Sequence, residues 1–144
     1  MNKNQAYIAE IRPQWRRTWL ERIAEFSDYD LQRRSWFGSP EYNSPHWSFV
    51  EWMCTYFDDI SLSSGYAGFV EDGLVSQDEA DIVRDFHAAA DAYTPPNGDD
   101  YDHSVILSDP AWLNVVSLAD EARLRLLEIL AEPSERTILE RNNG

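Results

Sequence analysis

His46, His87 and His103, the single cysteine Cys54, and 26 Asp and Glu residues are the side chains of this 144-residue sequence best suited to proton transfer, nucleophilic attack or metal ligation. Each histidine could act as a general base, but none has a sequence neighbour that names its reaction partner. Val83 and Asp91 each lie four residues from His87, so a helix-surface pair with Asp91 is expected there. Cys54 sits inside the apolar run Phe49–Phe57, where a buried, inert thiol is expected rather than a nucleophile. One cysteine also rules out an intramolecular disulfide framework and a thiolate metal cluster. No Gly-x-Ser-x-Gly elbow occurs, and no Gly-rich phosphate loop precedes a helix.

Two arrangements carry metal-ligand chemistry. Asp99-Asp100-Tyr101-Asp102-His103 combines carboxylates with an imidazole, but it lacks EF-hand spacing and a closing bidentate Glu. Asp58 and Asp59 with His87 or Asp91 would resemble a carboxylate–histidine site in a helical bundle, yet no Glu-x-x-His repeat accompanies them. Neither is taken as a metal site, and no cofactor is expected. A small helical metal-binding enzyme or a regulatory interaction protein stands as the alternative to the binding function reached below.

Charge is the strongest signal. The chain carries a formal −14, and residues 35–110 hold fifteen carboxylates against one basic residue, Arg84. Such a field repels nucleic acid and anionic lipid and steers basic partners inward. The first helix carries Arg12, Arg16, Arg17 and Arg22 around Trp15 and Trp19, which could track phosphates. Glu10, Glu21 and Glu25 share that helix and the rest of the molecule is strongly negative, so salt bridges to the acidic middle are the expected use of these arginines.

The elements that must position these groups are helical. Ile8, Ile11, Trp15, Trp19, Ile23 and Phe26 recur at steps of three and four, predicting an amphipathic helix from Ala6 to about Phe26. Pro13 predicts a kink or a start near Arg12–Pro13, and Arg12, Arg16, Arg17 and Glu21 fall on its solvent side. A short helical segment is expected over Tyr29–Trp36, before Gly38-Ser39-Pro40. Ser44-Pro45 reads as a cap plus first-turn proline for a core helix reaching about Ile60. Asp58 and Asp59 in its last turn oppose the macrodipole, which calls for a nearby Arg or a functional use.

Residues 61–73 read ambiguously, with a short stripe through Tyr66, Phe69, Val70 and Leu74. Ser76-Gln77-Asp78-Glu79 is a capping box opening a helix to about Tyr93, with Ile82, Val83, Phe86, Ala89, Ala90 and Tyr93 inward. Asp99–Asp102 follows as an exposed acidic loop, and His103–Leu107 is the one short candidate strand. Asp109-Pro110 opens a long helix to about Ala131, with Trp112, Val115, Val116, Ala119, Leu126, Leu127 and Leu130 in the core. Pro133 ends it before a last short helix over 134–141 and a disordered tail, 142–144. The fold class expected is all-α: one compact domain, 1–144, of about five to seven helices. The N-terminus lacks an apolar signal-peptide region and no stretch reaches membrane-spanning length, so a soluble cytoplasmic protein is expected.

The aromatic helix HWSFVEWMCTYFDDIS, the acidic link GFVEDGLVSQDEADIVRDFHAAADAY and the ending SDPAWLNVVSLADEARLRLLEIL resemble small immunity proteins of bacterial contact-dependent growth inhibition and related polymorphic toxin systems. The resemblance spans roughly residues 45–130 and rests on size, acidity and helical layout. It implies a stoichiometric inhibitor of a cognate toxin, often a basic nuclease whose active site is occluded. The charge distribution agrees, since carboxylates can stand where substrate phosphates would lie. Asp58, Asp59, Glu71, Asp72, Asp99, Asp100 and Asp102 are the expected partner-facing acids, with Trp36, Phe37 and Tyr42 as aromatic anchors. No oligomeric state is implied, and neither nucleic acid nor membrane is expected as a partner.

Overall fold

The computed structural model describes residues 2–37 and 48–140. The readings of Ser44-Pro45, His46 and Trp47, and of the 142–144 tail, lie outside them. Among the described residues the chain is helical throughout its regular structure, with eight α-helices and no strand. They are α1 (Lys3–Phe26), α2 (Tyr29–Trp36), α3 (Phe49–Phe57), α4 (Ala67–Glu71), α5 (Gln77–Ala92), α6 (His103–Ser108), α7 (Pro110–Ile129) and α8 (Pro133–Leu139). The count exceeds the expected range by one because His103–Leu107, read as a possible strand, is helix α6. Its start is fixed by Asp102, whose carboxylate accepts from the Val105 N–H at 3.4 Å.

Helix α1 begins earlier than Pro13 suggested. Asn2 and Gln5 form a reciprocal capping box that starts the helix at Lys3, and Pro13 lies within it. Only the second half of α1 is buried, through Trp19, Leu20, Ile23 and Phe26. These pack on α7, which also packs on α5, while α8 closes against α1. Phe26 gathers the core: its ring lies 5.5 Å from Tyr56 of α3, 5.3 Å from Phe86 of α5 and 6.0 Å from Trp112 of α7. Such offset and edge-on aromatic contacts add roughly 0.5–1.5 kcal/mol each beyond area burial.

The capping box at Ser76 opens α5 as expected, and Asp109 opens α7. Helix α3 starts at Ser48, whose hydroxyl accepts from the Glu51 N–H at 3.1 Å. It is less central than its all-apolar sequence implied: Phe49, Trp52 and Tyr56 are buried, whereas Val50, Met53 and Phe57 are half-buried. Helix α7 likewise buries Ala122 and Arg123 as well as Trp112, Val115, Val116, Ala119 and Leu126. Leu130 is buried just beyond it, while Leu127 is half-buried.

Two buried polar junctions hold the layers together. Arg16, expected on the solvent side, is 3% exposed. Its guanidinium makes a two-pronged pair with Glu79 at 2.7 and 2.9 Å, a second with Glu135 at 2.6 and 3.1 Å, and donates to the Leu74 carbonyl at 2.9 Å. All five guanidinium N–H donors are thereby used, tying α1 to α5 and α8. The correction has a simple cause: α8 folds back along α1, so the stripe of α1 that meets solvent in isolation meets Glu135 in the fold. At the α1–α2 corner, buried Gln32 donates to the Glu25 and Phe26 carbonyls at 3.0 Å and accepts from the Trp112 indole at 2.9 Å.

Candidate functional site

All seven carboxylates expected to face a partner are exposed, and none makes an ion pair among the described residues. The nearby Arg that Asp58 and Asp59 seemed to call for is absent among those residues. Asp58 instead interacts with the Cys54 thiol. Burial, then the Asp58 hydrogen bond and the surrounding carboxylates, pushes that thiol above its ordinary range. This keeps Cys54 protonated and unreactive at neutral pH, although the side chain is half-buried rather than fully enclosed.

The seven acids do not form one cluster. Helix α3 runs antiparallel to α5, with Phe49 beside Tyr93 at 5.7 Å and Tyr56 beside Phe86 at 5.4 Å. Asp58 and Asp59 therefore continue toward the N-terminal half of α5. Glu71 and Asp72 precede that helix and face a cavity that also meets Arg12 of α1. Asp99, Asp100 and Asp102 lie beyond its other end, and a 16-residue helix separates its ends by about 24 Å. Between the two ends α5 itself exposes Asp78, Asp81 and Asp85. Their spacing of three and four places them on one face, a periodicity that the sequence itself carries.

Individual roles also differ. Asp102 caps α6 and accepts from the Ser104 hydroxyl at 2.9 Å, so its carboxylate holds local structure as well as charge. Asp99 accepts from the Tyr101 N–H at 3.0 Å, setting the turn of the acidic loop. Of the aromatic anchors, Phe37 is 56% exposed and borders a depression of about 470 Å³ with Asp30, Arg33 and Arg34. Trp36 is a correction: it is 3% exposed and packs on Phe49, Trp52, His103 and Trp112 at 5.5–5.9 Å. It ends an amphipathic helix whose buried face includes Gln32 and Ser35, so its ring belongs to the core. Tyr42 lies outside the described residues.

The two described histidines are structural hydrogen-bonding hubs. His103 Nε2 faces the Phe49 N–H at 3.4 Å while Nδ1 lies 3.1 Å from the Trp36 carbonyl, joining the end of α2 to the start of α3. His87 ends a buried relay. The Trp19 indole donates to Tyr66 at 2.9 Å, the Tyr66 and Tyr56 hydroxyls are 2.5 Å apart, and Tyr56 is 2.9 Å from His87 Nδ1. An indole can only donate, so every proton finds an acceptor when Tyr66 donates to Tyr56 and Tyr56 to Nδ1. That direction leaves the His87 proton on Nε2. Burial raises both tyrosines well above their usual range and lowers His87, against the opposing field of Asp91. His87 thus bonds inward to Tyr56, while Asp91 acts on it through its charge alone among the described residues.

Among the described residues no group of three His, Cys, Asp or Glu side chains is arranged to hold a metal ion. No described helix is long and apolar enough to cross a membrane. All four α1 arginines considered for phosphate contact have partners within the molecule: Arg16 as above, Arg22 with Glu25 at 2.8 Å, Arg12 with the Gly73 carbonyl at 3.0 Å and exposed Arg17 with the Gln14 side chain at 3.3 Å. No protein-family model, curated protein or solved structure matches the chain.

Proposed function

We propose that this chain is an acidic protein-binding module that occupies the substrate-binding face of a basic protein, acting as an immunity-type inhibitor of a cognate toxin, with a nuclease as the fitting toxin class. The observation that carries the reading is the set of seven exposed carboxylates without ion pairs among the described residues, on a chain of formal charge −14. A carboxylate already paired within its own molecule contributes little to steering, whereas an unpaired one acts on an approaching cation at full strength. The helices beneath are fixed by the Arg16 junction and the aromatic core, so these charges are presented with little ordering to be done on association.

The acids are spread along α5 rather than gathered at one point, which suits a broad basic groove better than a single cationic pocket. A contact of ordinary size covers roughly 800 Å² on each partner, enough to span from one end of α5 to the other. The test is affinity capture from cells expressing the neighbouring genes, washed first at low and then at high salt. One basic protein retained at near-equal stoichiometry, whose enzymatic activity falls on adding purified chain, is the expected result. Capture of no basic protein, or a retained partner whose activity is untouched, overturns the inhibitor reading.

A further inference from the structure

A cleft of about 340 Å³ opens between α4 and α5, and none of the seven carboxylates discussed above lines it. Ala67 and Val70 of α4, Ala80 and Ala88 of α5, and the Tyr66 ring form its apolar walls. His87 lines the same cleft, and its ring is clamped by Tyr56, Phe57 and Tyr66 at 5.7, 5.5 and 5.2 Å. With Nδ1 accepting from Tyr56, the Nε2–H lies on the far edge of the ring, on the side away from the buried relay. It has no hydrogen-bond partner among the described residues. An open cleft with apolar walls and an imidazole held in place by its ring contacts has the make-up of a small-molecule site.

The charges around it select the occupant. Asp81 lines one part of the cleft, fastened by Gln77 at 2.9 Å, and Asp91 sits one turn beyond His87 on the same helix. Both disfavour an anion. Arg84, the one basic residue of the 35–110 stretch, also lines the cleft and is held only loosely by Asp85 at 3.7 Å. It disfavours a cation, as does a ring edge that offers a proton rather than a lone pair. We propose that the α4–α5 cleft binds an uncharged small molecule with an aromatic or aliphatic body and a carbonyl-type acceptor, which receives the His87 Nε2–H. The proposal uses none of the seven carboxylates of the partner-binding reading.

The chain has only three histidines, so ¹⁵N-histidine labelling resolves each one. In the free protein His87 shows a protonated Nε2 and an unprotonated, hydrogen-bonded Nδ1. Benzamide is the probe, with toluene, benzoate and benzylammonium as controls lacking the acceptor or carrying either charge. Benzamide shifts the His87 Nε2 resonance saturably, with a dissociation constant in the roughly millimolar range expected of a fragment. Each control responds at least about fivefold more weakly. Ala67→Leu and, separately, Ala88→Leu fill the cleft from exposed positions without touching the relay. Both abolish the benzamide response while leaving the free His87 signals in place. An unperturbed His87, a response that survives both fillings, or a control that matches benzamide overturns the proposal.

Discussion

Replacing Arg16 with Met tests whether one buried cation organises the packing of α1, α5 and α8. The wild-type guanidinium is 4% exposed as a side chain and bonds Glu79 and Glu135, whose side chains are 8% and 16% exposed. Met fills a similar volume but leaves the Glu79 carboxylate with Ser76 alone, whose backbone N–H donates to it at 2.9 Å. Glu135 is nearer solvent and rehydrates. Removing one member of a buried ion pair generally costs about 3–5 kcal/mol, and the partial rescue of both carboxylates places Arg16→Met near 3 kcal/mol, on the order of 10 °C in Tm for a chain of this size. Equilibrium urea unfolding at pH 7 measures it, with the slope against denaturant unchanged if the native state keeps its compactness.

The pH dependence supplies the stricter test. Burial alone would raise Glu79, but the Arg16 bonds and the Ser76 N–H hold it below its ordinary range. Its contribution is therefore present above the carboxylate's unfolded value and lost as pH falls through the lower folded value. In Arg16→Met the buried Glu79 loses its cation and rises instead, so the mutational cost shrinks as pH is lowered from 7 toward 4. Arg16→Lys recovers less than half of the loss, because an ammonium cannot supply two forks and a carbonyl bond together. A cost below about 1 kcal/mol at pH 7, within the range of ordinary surface substitutions, or one that does not change between pH 7 and 4, refutes the reasoning.

Further outcomes follow from other residues. Asp58→Lys with Asp59→Lys moves the formal charge from −14 to −10 and slows association with the basic partner by roughly tenfold at low salt; stopped-flow rates that are the same as wild type would exclude that end of the surface. Asp102→Asn keeps an acceptor for the α6 cap but removes a charge, so stability stays within ~0.5 kcal/mol while association slows; an unchanged rate would assign Asp102 to the cap alone. Burial raises Glu25 to about 7 despite the Arg22 pair, so the fold binds a proton there that the unfolded chain releases. Stability consequently falls as pH rises from about 4.5 to about 7, and Glu25→Gln flattens that slope in unfolding curves taken across the interval. Gln32→Leu strands the Trp112 indole and the Phe26 carbonyl, costing about 2–3 kcal/mol by urea unfolding; a cost below 1 kcal/mol would show that the corner rearranges.

Much of the fold was legible because local rules and burial agreed. Ser76 and Glu79 name a helix start by their own hydrogen bonds, Asp109-Pro110 does the same, and the spacing of Trp19, Ile23 and Phe26 defines a buried stripe without knowledge of its neighbours. Exposure of the acidic candidates was equally readable, since unpaired carboxylates remain in water. The amino-acid sequence by itself thus determined an all-helical chain with its charge concentrated in the middle. It did not determine which polar residues would be buried: Arg16 and Trp36 were misplaced because burial depends on what packs opposite, here Glu135 of α8 and Trp112 of α7. Likewise His87, Tyr56, Tyr66 and Trp19 come from four separate segments, and no spacing along the chain predicts that their donors and acceptors line up. A hydrogen-bond relay is a condition on distances and angles between elements, and only the packed tertiary structure sets those.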